Sequence, residues 1–371
     1  MRELLLFRDL VTFLYLGVLF IKNKNMKRLF TKGILLMAFA MISLGYSAQA
    51  QGGLDGLLEG GLDDANDLAE GYLTPFMNAF GTGLTNGWYN TAKAHKTAGF
   101  DLTVTVNAAF VPDEDLFYNA SNLTTVTLDD PNYPNGKVPT MFGPSTAPIY
   151  RDNLSGDTFE GPEGLNVKDE FGVQAVPVPM AQLGIGIVKN TDIKIRWTPE
   201  ISLGEDEGKF KLIGFGVMHD VKQWIPGLKN VPFELSGFVG YTKMTLSTDF
   251  ADQSSSSGSG VYTDNGEGVF EVNSLTFQAL ISKKISVLTL YGGVGVNSVK
   301  SKIALEGDYR VEDANGIIED TFTDPISLNF KTGGPRVTAG FRLKLAILTL
   351  HADYTLQKYS TLTAGIGFSV R

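Results

Sequence analysis

The last thirty-six residues alternate between apolar and polar side chains in three successive runs. From Pro335, Val337, Ala339, Phe341, Leu343 and Leu345 are apolar, whereas Arg336, Thr338, Gly340, Arg342 and Lys344 are not. Leu348, Leu350, Ala352, Tyr354 and Leu356 then oppose Thr349, His351, Asp353, Thr355 and Gln357. Finally, Leu362, Ala364, Ile366, Phe368 and Val370 oppose Thr361, Thr363, Gly365, Gly367 and Ser369. Side chains of a strand point alternately to its two faces, so each run predicts a strand with one oily and one wet side.

Turn residues divide the chain upstream into further strands of this kind. Ten are expected, over residues 99–111, 181–188, 191–203, 209–220, 232–249, 268–283, 285–305, 335–345, 346–357 and 361–371. Lys189-Asn190, Lys283-Lys284 and Leu345-Ala346 make very short connections. Residues 112–180, 204–208, 250–267 and 306–334 make mostly longer ones, the third carrying the serine-rich tract from Ser254 to Gly260. Short turns on one side and long loops on the other predict an all-β fold, an antiparallel transmembrane barrel of about 10–14 strands. The upper figure applies if 112–180, which include Asn122–Leu128, hide more strands. Val221–Asn230 is long for the short-turn side, and Trp224, Ile225 and Leu228 there fit a helical turn at the membrane boundary.

Residues 54–80 change period. Leu57, Leu62, Leu68, Tyr72 and Phe76 recur at helical spacing, with Asp63, Asp67 and Glu70 on the other face. An acidic amphipathic helix is expected, bent near Pro75 and ended by Gly81, Gly83 and Gly87.

The 371 residues include no Cys and have a mean hydropathy of +0.02. No stretch reaches the roughly 20 apolar residues of a spanning helix. At the start, Lys27, Arg28 and Lys32 precede an apolar core and Ala48-Gln49-Ala50, the three parts of an export signal. Residues 1–25 then read as an upstream over-extension, 26–50 as signal peptide, 51–98 as a helical plug or periplasmic segment, and 99–371 as the barrel. Removing residues 1–50 leaves 24 basic against 38 acidic residues, net −14. Such a surface repels nucleic acid and anionic headgroups.

Enzyme chemistry finds little support. The three histidines, His95, His219 and His351, are scattered, and neither a lipid-facing Ser–His pair nor a metal-ligand spacing is present. Gly292-Gly293-Val294-Gly295 lies in a strand and opens no helix, and Asp313-Ala314-Asn315-Gly316 reads as a turn rather than a calcium loop. No cofactor is expected. The predicted lumen carries Asp192, Lys194, Arg196, Arg336, Arg342, Lys344, His351 and Asp353. These form either a basic wall for anionic solutes or a self-neutralised network filling a small barrel. A plug of opposite sign, the acidic helix, fits the second reading.

An export signal, a helical segment, Trp88-Tyr89-Asn90-Thr91-Ala92 and then a barrel together resemble the long-chain fatty acid transporter family. That resemblance implies an N-terminal hatch in a fourteen-stranded barrel, with lateral passage of hydrophobic compounds. The family has Asn-Pro-Ala where this chain has Asn90-Thr91-Ala92. Gln182–Gly186, Lys189–Asp192 and Gly367–Arg371 also resemble outer-membrane barrels of Bacteroidota, which brings no activity with it. Phe368 lies three residues inside the end, where barrel-assembly machinery commonly reads a terminal Phe. The expectation is a Gram-negative outer-membrane barrel, in contact with lipid, inserted by that machinery and passively passing small molecules, hydrophobic ones among them. The alternative is a structural or surface-interaction barrel that transports nothing.

Overall fold

The computed structural model describes residues 62–370, apart from 203–207, 229, 250–259, 264 and 313–317. Helix α1 (Leu62–Leu84) comes first. Ten antiparallel strands follow: β1 (Phe100–Phe110), β2 (Ala175–Ile187), β3 (Thr191–Ser202), β4 (Lys209–Asp220), β5 (Glu234–Asp249), β6 (Glu267–Ile285), β7 (Leu288–Glu306), β8 (Ile326–Leu345), β9 (Leu348–Leu356) and β10 (Thr361–Val370). Each pairs with its neighbours in sequence, and β10 closes on β1 from Phe100↔Val370 to Ala109↔Thr361. The barrel therefore has ten strands. Val126–Leu128 is a strand, but it pairs with Ile149–Asp152 in a small sheet within the first long loop and adds nothing to the wall.

The outward faces hold the large exposed apolar residues: Leu102, Val104 and Val106 on β1, Phe277 and Ile281 on β6, Val337 and Phe341 on β8, Leu362 and Ile366 on β10. The opposite faces are buried and polar in the half nearer the short turns, with Thr103, Thr105 and Asn107 on β1 and Arg336 and Thr338 on β8. A closed sheet with an oily exterior and a polar interior is the strand solution to a hydrocarbon solvent, because closing the ring pairs the outer edges of its first and last strands.

Several strands run further toward the long loops than alternation predicts. β2 begins at Ala175 and β8 at Ile326, so the last nine residues of the expected 306–334 loop are wall. In these extensions apolar residues point inward: Val176, Val178, Leu328 and Phe330 are buried on the side that meets α1. The hydrophobic face switches sides once the interior is protein rather than polar lumen, and a period-two reading loses the strand there. At the other end, β6 continues past Lys283-Lys284 to Ile285, and the turn is Ser286-Val287; the next is Ala346-Ile347. Lys189 and Asn190 do form a turn, both with positive φ.

α1 fills the long-loop half of the barrel and passes unbroken through Pro75. Gly81 and Gly83 lie inside the helix rather than ending it. A Cβ on Gly81 would stand 2.3 Å from Val299 Cγ1, and one on Gly83 would stand 2.5 Å from Val178 Cγ2, so these glycines let helix and wall touch. At the long-loop end Leu68 packs with Val126, Tyr133, Val138 and Tyr150 of the first long loop, which lids the helix. Asp64 fastens that lid, accepting hydrogen bonds from the Thr124, Thr125 and Val126 amides and both threonine hydroxyls. Burial alone would raise its pKa; the Thr125 hydroxyl and the three amides outweigh that and hold it below the usual carboxylate range.

Candidate functional site

Three layers of side chains bolt the chain after α1 to the barrel wall. The first is at the helix C-terminus, where the last carbonyls lack helical partners and carry the negative end of the dipole. No basic residue lies in the last turn of α1. Two arginines from the wall supply the cations. Arg196 of β3 donates from Nη1 to Leu84 O (2.8 Å) and from Nη2 to Asn86 O (2.5 Å), with its guanidinium 3.6 Å from the Trp88 ring centroid. Arg336 of β8 donates to Thr85 O (3.2 Å), Thr85 Oγ1 (2.9 Å) and Asn86 Oδ1. Both are buried. Basic wall and plug do complement each other, but through backbone carbonyls rather than acidic side chains. Asp67 is exposed, Leu57 lies outside the described residues, and Leu62 and Asp63 stand at the start of α1. Tyr72 and Phe76 are buried, and Tyr72 Oη donates to Glu163 O of the lid (2.9 Å).

The second layer is an aromatic stopper. Trp88, Tyr89 and Ala92 cluster with Met218, Phe238, Leu280 and Tyr291 from four successive strands, β4 to β7. Tyr89 Oη donates to Gln278 Oε1 (2.5 Å), and Tyr291 Oη donates to Asp353 Oδ2 (2.7 Å). Thr91 and Ala92, from the motif that carries the resemblance, both hydrogen-bond to Ser282 Oγ.

The third layer closes the short-turn end. Asp192 accepts from the His95 amide (2.8 Å) and lies 2.9 Å from its Nδ1; His95 Nε2 faces Ser369 Oγ at 3.4 Å and Asp101 Oδ1 at 3.6 Å. Lys194 stands 3.7 Å from Asp101, and Lys344 Nζ lies 3.2 Å from Ser369 Oγ. Arg342 and His351 are buried in the same quarter. All eight lumen candidates thus face inward, but they serve different layers: of the cations on the last strands, Arg336 alone is bonded to the plug. The aligned Asp192–His95–Ser369 row lies in the lumen, not at the lipid face, and Ser369 is buried. Sequence reasoning passed over Asp101, Gln182 and Tyr291. The alternation that marks Thr103 and Thr105 as inward would have marked Asp101 too.

One seam of the wall differs from the rest. β2 and β3 pair only from Leu183↔Ile195 to Ile187↔Thr191, whereas β2 pairs with β1 all the way to Phe110↔Ala175. Beyond Leu183 the strands part, leaving Ala175–Gln182 unpaired on that side for roughly 26 Å. The cause is in the sequence. Val111 N donates to Gln174 O and Gly186 N to Gly99 O, so even-numbered residues of β2 turn their backbone to β1 and odd-numbered ones to β3. Pro177 and Pro179 are odd, and proline has no N–H to give. On the β3 side, Pro199 sits in an irregularity of the β3–β4 register between Thr198 and Ile201. The foot of the split is bolted: Arg196 Nε points to Gln182 Oε1 across it (3.4 Å), and Gln182 Nε2 donates to Trp88 O (3.0 Å).

The chain belongs to a family of unknown function, DUF6588, which it matches over residues 26–370. None of the curated proteins matches the sequence. Similar solved structures include the attachment invasion locus protein Ail of Yersinia pestis, 9% identical over 74% of this chain and 99% of that one, with a TM-score of 0.24. The translocator domain of the autotransporter NalP from Neisseria meningitidis is 11% identical over 83% and 98%, with a TM-score of 0.28. CymD, a monoaromatic hydrocarbon channel, is 10% identical over 79% and 97%, with a TM-score of 0.21. At these scores the likenesses carry no functional argument.

Proposed function

We propose that this barrel lies in the outer membrane of a Gram-negative cell, long loops outward, and passes small hydrophobic molecules sideways through the split between β2 and β3. The observation that carries the reading is the split itself. An unpaired edge strands N–H groups in hydrocarbon at several kcal/mol each, and Pro177 and Pro179 remove two of those donors where the edge is open. On β1, the outward apolar residues reach Val106, which pairs with Pro179, so the lower part of the split opens at the level of the lipid belt. Axial conduction is disfavoured, since α1, the Trp88–Tyr89 stopper and the His95 layer succeed one another down the lumen. Passage requires the Gln182–Arg196–Trp88 bolt to shift, which couples the split to the plug. The buried Asp192–His95–Ser369 row serves to hold the chain at the short-turn end, and no reaction or cofactor is assigned to it.

The filled lumen also favours the second reading, a structural barrel whose split is inert. A crosslink separates the two. Extending the register Leu183↔Ile195 by two residues on each strand sets Ala181 opposite Trp197, both exposed and neither a proline of the split, and the chain has no cysteine of its own. In Ala181→Cys/Trp197→Cys barrels, a short bis-maleimide should bridge the split and hold its edges together. Lost uptake of a hydrophobic fluorophore into proteoliposomes on crosslinking supports passage; uptake absent before crosslinking, or unchanged by it, supports the structural barrel.

A further inference from the structure

A different part of the wall, remote in sequence from the split, carries an outward-facing groove. On the outward face of β4–β7 a groove of about 590 Å³ is floored by Gly237 and Ala279 and walled by Val217, Val239, Phe277 and Val294. Gly237 and Ala279 are cross-strand partners, as are Ala279 and Val294, so small side chains fall side by side between larger ones. Continuing along β6 on the same face, Ile281 is followed by Lys283 and then Ile285. Lys283 is exposed and lies opposite the exposed Leu290, on an otherwise apolar surface. Its stem can lie along that surface, but its ammonium needs an anion or water. Neither Lys283 nor Lys284 has an ion-pair partner among the described residues. Four residues of strand separate Ala279 from Lys283, roughly 13 Å, or about 10 Å of depth at the tilt of a barrel strand, which lies within the ~15 Å of one hydrocarbon leaflet. Trp224, 63% exposed, donates its indole N–H to His219, a residue lining the groove, and marks the membrane–water boundary at the same end.

We infer that this face holds one glycerophospholipid of the leaflet at the short-turn end, with an acyl chain in the Gly237–Ala279 groove and its phosphate on Lys283. Lys283 has no counter-ion on this face, so a headgroup of net negative charge is favoured over a zwitterionic one, which carries its own cation. Lys284, the next residue of the strand, turns to the other face, near Lys344. The net charge of the mature chain would repel such a headgroup if it were evenly spread; Lys283 shows that locally it is not.

The test is native mass spectrometry of the refolded barrel in neutral detergent, titrated with phosphatidylglycerol or with phosphatidylcholine of the same acyl chains. One phosphatidylglycerol should remain bound at concentrations where phosphatidylcholine does not. Lys283→Glu should weaken it at least tenfold. Gly237→Leu should do the same without touching any charge, because a Cβ there meets only Val221 Cγ1 at 3.7 Å and the new side chain fills the groove. Lys283→Gln serves if the Glu variant does not refold. Equal retention of both lipids, or binding that survives either the charge or the groove substitution, overturns the inference.

Discussion

Replacing Arg196 by Met removes a guanidinium that holds two orphan carbonyls and covers the Trp88 ring. Each charge-assisted hydrogen bond contributes about 1.5–3 kcal/mol, and a desolvated cation–π contact about 2 kcal/mol. The gross loss is therefore on the order of 5–8 kcal/mol. Against it stands the cost of keeping a cation out of water, several kcal/mol per ion, which the Met variant no longer bears. A net loss of roughly 3 kcal/mol remains, a hundredfold or more in the population with the helix end released. The loss is local, because the wall is held by its own backbone ladder. Hydrogen–deuterium exchange of the refolded barrel should show amides near Leu84 losing about two logarithmic units of protection, with β6, β7 and β8 unchanged. Asp67→Asn, which alters the helix charge at an exposed position, should change nothing. Unchanged protection in the Arg196 variant, or an equal loss in the Asp67 variant, would refute a clamp acting on the helix dipole.

Three further outcomes are expected. Pro177→Val with Pro179→Val restores two donors to the free edge of β2, so the split should zip further and fluorophore uptake should fall; unchanged uptake would separate passage from the split. Asp64 has a lowered folded-state pKa, so its hold on the lid is complete above about pH 4, the ordinary carboxylate value, and fades as pH drops through the folded value; proteolysis within residues 112–174 should accelerate only in that acid range, and Asp64→Asn should flatten the dependence. Gly71→Ala would place a Cβ 2.1 Å from the Tyr118 ring, an overpacking worth about 1–3 kcal/mol, and should free the same loop at neutral pH.

The alternation at the C-terminus was enough to read three strands, their lipid faces and the inward Arg336, Arg342, His351 and Asp353, because there the interior is polar and the exterior oily. It failed at Val176–Met180 and Leu328–Phe330, where the interior is α1: the apolar side chains turn inward there, and on β8 the outward ones are Ser327, Asn329 and Lys331. The helix was legible from its spacing, but the role of Gly81 and Gly83 was not, since a glycine that ends a helix and one that admits a neighbour look alike in one dimension. Val176-Pro177-Val178-Pro179 reads as loop by propensity. Only the strand register shows that both prolines turn the same way, toward the strand they fail to meet. The clamp on α1 was half visible: the basic wall could be read, whereas three of its acceptors, Leu84 O, Thr85 O and Asn86 O, are main chain and have no letter in the sequence.

The route of residues 62–98 constrains the order of assembly. They start beneath the lid at the long-loop end, where Asp64 meets Thr124, and finish at the short turns, where Ala98 N donates to Gly186 O. A closed ring of ten strands would have to be threaded by a folded helix, its lid loop and its aromatic knot. The strands that complete the ring, β1 and β10, are the first and last of the wall. The ring can therefore stay open like a clasp until the thread lies inside, and the final ladder, Phe100↔Val370 to Ala109↔Thr361, is the step that makes the enclosure permanent. A chain lacking residues 62–92 should snap shut sooner, around nothing.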